Sequence, residues 1–452
     1  MKILHVFKSF YPYTYGGIEK FIHELSNAIA KKYEVEIHIL AMGKKNQTIY
    51  KGLYTLHFAK TNLNIASTTF SFSAIKKFKE LTKQVDIIHY HFPYPYADLL
   101  HIICRPNKSY IVTYHSDIIK QKRLMMLYKP LMRKFLKGAK YILPTSPNYL
   151  ETSETLKEIQ TPKKVIPMSL NQEDYGIYTE EKNPTESSMS LSKCDPESQK
   201  HDKIVSNSCE MLNQVQHDSS VAVTPNTGLE STTSSVIPER DLKSATTVIP
   251  GSDPEPLSAK ENYLYWENNI GFEKFFIYIG GLRYYKGLDV LIDAMQEQDY
   301  PLVIVGDGDQ KELLEQKVKQ NNLQNVKFLG ALDDKDKLSL LKLSYALVLP
   351  SNIRTEAFGL VLLEASIYSK PMITCEIGTG TTFVNIDKQT GLVAKPNDSQ
   401  DLTKKLKELW QDEQKAQEYG ANAKARFDDI FSLDKMVVSY KSVYDEVVQN
   451  DH

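Results

Sequence analysis

Short, nearly continuous apolar runs, each closed by polar or turn residues, recur through most of the chain. Ile3–Phe7, Val35–Leu40, Asp86–His89, Tyr110–Tyr114 and Tyr141–Pro144 read as strands in the first segment. Phe275–Ile279, Leu302–Val305, Val326–Leu329, Tyr345–Leu349 and Met372–Thr374 do so later. Between them the apolar spacing lengthens to that of helices, over Ile18–Lys31 and again over Val290–Met295, Lys311–Asn321 and Asp334–Leu343. Short apolar runs alternating with helices predict parallel sheets with crossover helices. The expected fold class is α/β, built as two consecutive doubly wound units. A final helical segment, with Ser432 as its N-cap, runs to Val448.

The middle of the chain breaks this pattern. From Thr179 to Asn262 there is no Phe, Tyr or Trp, although aromatics make up 10% of the whole. The stretch is rich in Ser, Thr, Pro, Asp and Glu, and it repeats itself. CDPES at Cys194 is echoed by SDPEP at Ser252, and SVIPERD at Ser235 by TVIPGSD at Thr247. Such a composition buries too little apolar surface to offset its ordering entropy. It reads as a disordered low-complexity insertion over 179–262, with phrases (MLNQVQHD, VIPGSDPE) that resemble translated palindromic repeat elements known to invade bacterial genes; an ordinary long linker is the alternative. The expected organisation is a first domain over 1–178, the insertion, and a second domain over 263–430. A C-terminal helix over 431–452 is expected to pack back on the first domain. Roughly 370 residues remain outside the insertion, a comfortable size for two α/β domains. No catalytic or metal role is assigned inside it, His201 and His217 included.

Charge and cysteine usage narrow the class. With 55 basic and 56 acidic residues the net charge is −1, which argues against a globally basic nucleic-acid binder. Cys104, Cys194, Cys209 and Cys375 form no CxxC pair, suggesting a reduced compartment without a disulfide framework or zinc site. The N-terminus MKILHVFKSFYP lacks the long apolar core of a signal peptide, and no 18-residue apolar stretch occurs. The expected location is cytoplasmic.

Three segments carry candidate chemistry. PYTYGGIEKF, Pro12 to Phe21, runs from a strand through Gly16-Gly17 into a helix, the geometry in which backbone N–H groups meet an anion. A tight strand-to-helix turn is the plainer reading, and the third glycine of GxGxxG is missing. IYIGGLRYYKGLDVL, Ile277 to Leu291, repeats the strand–glycine–helix order and places Arg283 and Lys286 in the connecting loop. Fixed cations beside a helix N-terminus suit a diphosphate, while a solvated basic loop is the alternative. LPSNIRTEAFGLVLLEA follows the strand Tyr345–Leu349 and sets Glu356 and Glu364 eight residues apart. Eight steps at about 100° leave two helical residues about 80° apart, so both can face one ligand only if Glu356 lies in the loop and Glu364 in the helix. Gly359 permits the turn between them. In open α/β sheets, ligands sit at such a carboxyl end. Phe358, Gly359 and Leu360 would offer backbone N–H groups to phosphate, Glu356 would accept from sugar hydroxyls, and Glu364 from a ribose diol.

Taken together, the Glu-x7-Glu motif, the strand–GG–helix opening and the GL-x3-KG loop resemble the retaining, GT-B-fold glycosyltransferases of family 4, over nearly the whole chain outside the insertion. TYHSDIIKQK at Thr113, SNIRTEAFGL and TCEIGTGTTFVN at Thr374 resemble the bacterial O-antigen and exopolysaccharide branch, rich in mannosyl- and rhamnosyltransferases, the former using GDP-sugars. The resemblance implies two Rossmann-like domains facing across a cleft. It assigns Lys286 to the donor diphosphate, Glu356 to the donor sugar, Phe358 to Leu360 to the phosphate surroundings and Glu364 to the ribose. His115 matches a histidine lining the sugar site, and Gly17 lies where the N-terminal loop approaches donor phosphate and acceptor. Two departures stand out. The family's arginine directly after the first loop glycine is displaced to Arg283, and its GG-x2-E segment is replaced by GTGTTFVN, Gly378 to Asn385. No DxD-type pair is positioned in a loop beside these motifs, because Asp333-Asp334 begins a helix. Transfer is therefore expected to need no metal or other cofactor. Glu356 and His115 are the catalytic candidates. His89 and His91 are expected to shape the acceptor side, not to hold a metal.

A local charge asymmetry suggests the acceptor. Between Asp117 and Glu151 there is no acidic residue, yet Lys120, Lys122, Arg123, Lys129, Arg133, Lys134, Lys137 and Lys140 all fall there. Met125, Met126, Leu127, Leu131, Phe135 and Leu136 interleave with them. A basic amphipathic segment over 120–140 suits an anionic membrane surface or a lipid-diphosphate acceptor; a solvated basic face is the alternative. The expected function is transfer of a hexose, mannose-like by preference, from a GDP-sugar to a lipid-linked glycan. A UDP-sugar donor and an inactive copy disrupted by the insertion are the alternatives. A nicotinamide-dependent dehydrogenase would need a GxGxxG after a strand, which is missing.

Overall fold

A strand covered by helices on both faces has no wet side, which is why the apolar runs are continuous and not alternating. The computed structural model describes residues 1–14, 16–65, 68–119, 122–176, 259–296 and 298–450. Residues 177–258, which include nearly all of the insertion, lie outside the described residues, as do Lys120 and the side chains of Lys122 and Arg123.

The N-terminal half holds a seven-stranded sheet in the order Gln47–Tyr50, Thr55–Lys60, Glu36–Gly43, Lys2–Val6, Ile87–Phe92, Tyr110–Tyr114, Tyr141–Pro144. All pairings are parallel except the edge pair Gln47–Tyr50 with Thr55–Lys60. The C-terminal half holds a six-stranded, wholly parallel sheet: Val326–Gly330, Leu302–Val305, Phe276–Ile279, Ala346–Leu349, Met372–Cys375, Gly391–Ala394. In both sheets the chain starts near the middle, winds to one edge, then returns and winds to the other. That reversal is the doubly wound topology, and it opens a crevice beyond the carboxyl ends of the central strands. In the C-terminal sheet the reversal lies between Phe276–Ile279 and Ala346–Leu349. The loops leaving these two strands carry Lys286 and Glu356.

The helix Ala259–Asn269 begins inside the stretch that composition assigned to the insertion, so that boundary moves back to 259. Its anchor is Trp266, buried and donating from Nε1 to Asp336 at 2.8 Å. The low aromatic content of 259–262 hid a helix that the residues after it fasten down.

At the other end, the helix Leu433–Gln449 leaves the C-terminal half and covers the N-terminal sheet. Tyr444 OH lies 2.7 Å from His89 Nδ1, and Tyr440 OH 2.9 Å from Thr113 Oγ1. The chain thus crosses between halves twice, and the crossings run side by side, with Leu170 bridged to Ser432 and Ser169 Oγ donating to the Phe431 carbonyl at 2.6 Å.

Candidate active site

A cleft of about 560 Å³ opens between the carboxyl ends of the two sheets. Gly17, His115, Lys286, Glu356, Phe358, Gly359, Leu360 and Glu364 all line it. These eight residues come from loops and helix starts in both halves of the chain.

Glu356 lies in the loop and Glu364 inside the helix Leu360–Ile367, whose N-cap is Gly359. Gly359 has φ +80°, a left-handed conformation that L side chains rarely adopt. The turn aims the first N–H groups of the helix, which have no partner within it, at the cleft. Gly17 makes a close approach from the opposite wall. A Cβ there would sit 3.2 Å from Leu360 Cδ1, so a larger residue fits only if the Leu360 side chain gives way.

Glu356 is buried and accepts from Lys286 Nζ and, at 3.1 Å, from Ser351 Oγ. Burial by itself would lower the Lys286 pKa, but the neighbouring Glu356 charge more than offsets it and leaves the ammonium above its ordinary range. Lys286 is therefore a fixed cation, and the loop's last residue, Gly287, hands the chain directly to the helix Leu288–Ala294. Arg283 is the site residue that the structure does not bring in. The turn Tyr284–Lys286 sends Lys286 inward and leaves Arg283 pointing outward, paired with Asp309 at 3.5 Å.

Glu364 sits in a second ionic group that the sequence reading missed. Its Oε1 accepts from Tyr175 OH at 3.1 Å and from Lys337 Nζ at 3.4 Å, with Lys20 Nζ at 4.0 Å. Lys20 also donates to Tyr175 at 2.9 Å, and Lys337 pairs with Asp334 at 2.8 Å. Burial works against the charge on Lys337, but Glu364 and Asp334 outweigh it and raise its pKa. One signal for these partners was available. Asp334 and Lys337 are spaced i, i+3 at a helix start, a pairing distance on a helix face. Lys20 and Tyr175 come from far along the chain and carried none.

His115 closes the N-terminal wall. It is 3% exposed, and its Nδ1 has no partner among the described residues. Burial pushes its pKa down to about 3, so at neutral pH it is an uncharged imidazole. Its Nε2 lies 3.2 Å from His91 Nδ1, and His91 Nε2 lies 3.0 Å from His5 Nδ1. His89 and His91 consequently do not shape an acceptor surface. Both are fully buried behind the wall, because they lie on one face of a strand that is buried on both. With His5 they place ring nitrogens within 4.8 Å of one another, a potential metal-binding group that no acidic residue joins among the described residues. The nitrogens of His89 are taken up by Tyr444 and Thr113, and those of His91 by His115 and His5.

The basic segment forms the helix Lys122–Gly138, with Phe135 and Leu136 buried. Met126 and Leu127 are 73% and 82% exposed. Its charge is less unopposed than the sequence suggested, because Glu158 pairs with both Lys129 and Arg133. Among the described residues, no helix is long and apolar enough to cross a membrane.

Two doubly wound sheets sharing one cleft, with a helix N-terminus and fixed cations on its C-terminal wall, make this a glycosyltransferase of the GT-B type. The model for glycosyl transferases group 1 matches residues 266–426, and that for Glycosyltransferase Family 4 matches residues 15–172. O-antigen chain mannosyltransferase C of Escherichia coli is 36% identical over 451 residues, covering 100% of both chains. D-rhamnosyltransferase WbpZ of Pseudomonas aeruginosa is 35% identical over 434 residues, 96% of this chain and 92% of that one. The fold is shared with a solved sucrose-phosphate synthase from Thermosynechococcus elongatus at a TM-score of 0.69, with 17% identity and 99% of each chain covered. The protein belongs to glycosyltransferase family 4.

Proposed function

We propose that this glycosyltransferase moves a hexose, mannose-like by preference, from a GDP-sugar to a lipid-linked glycan in the synthesis of an O-antigen-type polysaccharide. The observation that carries the reading is the cleft itself, in which Lys286 from one loop meets Glu356, a helix N-terminus and Glu364 from another loop and the helix it leads into. The choice of sugar follows the whole-length likeness to a mannosyltransferase and a rhamnosyltransferase.

In this reading Lys286 and the N–H groups at Leu360 stabilise the leaving diphosphate, a role that needs fixed positive charge where negative charge develops. No metal or cofactor is called for. Glu356 is already fixed by Lys286 and Ser351 and accepts from donor-sugar hydroxyls. Glu364, with Lys20, Lys337 and Tyr175 around it, holds the ribose. His115 presents a neutral ring to the sugar. The acceptor hydroxyl attacks from the face the diphosphate leaves, its proton passes to the departing phosphate, and the anomeric configuration is retained. Glu356 need not become covalently attached. Arg283, paired with Asp309, is left without a role at the diphosphate.

The exposed Met126 and Leu127, with exposed Lys129, Lys134 and Lys137 further along the same helix, support contact with an anionic membrane from the cytoplasmic side. Neutralising Lys129, Arg133, Lys134 and Lys137 should abolish binding to phosphatidylglycerol vesicles; unchanged binding would sink this part. The donor is tested by an NMR screen of GDP- and UDP-sugars on purified protein, with Glu356→Ala as control. Turnover of UDP-sugars alone would select the alternative donor, and no turnover in folded protein would select the inactive copy. Full activity in Glu356→Ala would remove the centre of the reading.

A further inference from the structure

The three segments that mark the O-antigen-like branch, TYHSD, SNIRT and EIGTG, meet at one side chain. Arg354 stands two residues before Glu356 and reaches across the cleft. Its Nη2 lies 3.3 Å from Asp117 Oδ2, and Asp117 stands two residues after His115. Its Nη1 donates to Thr152 Oγ1 at 2.8 Å and to the Gly378 carbonyl at 2.7 Å. The guanidinium carbon lies 5.0 Å from the Tyr149 ring centre. Asp117, Thr152 and Tyr149 belong to the N-terminal half; Arg354 and Gly378 belong to the other.

We propose that Arg354 is a positioning residue: it clasps the two halves of the cleft in their closed arrangement and thereby fixes the separation of His115 and Glu356 around the donor sugar. The proposal rests on reading the cleft as the donor site. Asp117 is a prepared receptor for the clasp. Its other carboxylate oxygen accepts from Tyr114 OH at 2.7 Å and from Ser153 Oγ at 2.6 Å, and its backbone N–H donates to Tyr149 OH at 2.7 Å. Neighbouring contacts tie the same two segments together. Thr152 Oγ1 lies 2.6 Å from the Gly378 carbonyl, and Asn148 Nδ2 lies 3.2 Å from Thr382 Oγ1. The clasp requires arginine. A planar fork meets a carboxylate, a hydroxyl and a carbonyl at once while stacking on an aromatic ring, whereas an ammonium offers a single compact charge.

Arg354→Lys is therefore the informative variant, with Arg354→Ala beside it. Probes at exposed Tyr50 and Leu313, one on each half, report the distance between halves with saturating GDP or UDP. Closure on nucleotide should be lost or reduced about tenfold in population in Arg354→Lys. kcat for transfer should fall roughly 10–100-fold, with the KM for the donor nearly unchanged, because misplacing the reacting groups costs rate more than affinity. The fraction of donor lost to hydrolysis should rise. Should Arg354→Ala fail to fold, Asp117→Asn, which weakens the same contact, should reproduce the Arg354→Lys pattern. Wild-type closure in Arg354→Lys overturns the clasp, and so does lost closure with unchanged kcat. The underlying site reading fails separately, through full activity in Glu356→Ala, which leaves the closure distances untouched.

Discussion

On the N-terminal wall of the cleft the buried polar groups are rings without charge: His5, His91 and His115 form a hydrogen-bonded file, with His89 alongside at a ring-centre distance of 4.3 Å from His91. On the C-terminal wall they are ions, Lys286 with Glu356 and Lys337 with Glu364. On both walls most buried polar atoms are paired, and the two ends of the histidine file, His5 Nε2 and His115 Nδ1, have no partner among the described residues. They differ in what each can offer a ligand. In a file of neutral rings, each hydrogen bond needs one ring to donate and the next to accept, so the tautomer of His115 is linked to those of His91 and His5. The ion pairs hold charge in fixed positions, which the proposed reading puts at a leaving group. One wall orients, the other neutralises.

Breaking the ionic wall should have the largest effect. Lys286→Ala leaves Glu356 buried without its counter-ion, a loss of about 3–5 kcal/mol in similar sites. It should lower transfer by roughly 10²-fold or more, as for loss of one oxyanion-type donor; thermal melting and donor turnover measure the two parts.

The neutral wall should reveal itself in pH. Burial depresses the pKa of His5 and His115 to about 3, and those of His89 and His91 fall well below the ordinary value. These folded-state values lie below those of the unfolded chain, so the unfolded chain binds more protons between about 6.5 and 3. Stability is then full above about pH 6.5 and falls as the pH drops through that window, by about 1.4 kcal/mol per unit for each histidine kept neutral. His5→Asn should flatten the slope of melting temperature against pH. An unchanged slope would mean that the file does not govern it.

Two smaller effects separate the walls further. Lys337→Met, which removes one cation beside Glu364, should raise the KM for the donor by about tenfold, roughly 1.4 kcal/mol, with kcat little changed, if the pair serves binding alone. Tyr444→Phe takes the partner from His89 Nδ1 and should cost about 1 kcal/mol of stability with no change in donor KM, measured by denaturant unfolding.

Legibility from sequence followed the same division. The central strands could be read because two-sided burial makes them continuously apolar, and Tyr110–Tyr114, Tyr141–Pro144 and Leu302–Val305 were bounded correctly. Thr55–Lys60 was missed. It mixes His57 and a terminal lysine with its apolar residues, and its edge partner Gln47–Tyr50 is mostly exposed. At the site, glycines and loop carboxylates were legible because motif spacing fixes their place on a strand-to-helix turn. Side-chain direction was not: Arg283 and Lys286 looked equivalent until a single helical turn sent them opposite ways. Partners such as Tyr175, 189 residues from Glu364, depend on how the halves close and leave no local mark. His89 and His91 were visibly on one face, but periodicity cannot tell a cleft from a core.

The returning helix Leu433–Gln449 has a consequence for the order of synthesis. The N-terminal sheet precedes this helix in the chain, yet Thr113 and His89 receive their partners from Tyr440 and Tyr444, which follow them by 327 and 355 residues. An independent domain finds such partners within itself, whereas these two groups find theirs only in the helix Leu433–Gln449. A chain that stops anywhere before Tyr440 leaves the first-made half with open polar groups in its core, so an interrupted reading frame far downstream is registered at the oldest part of the protein.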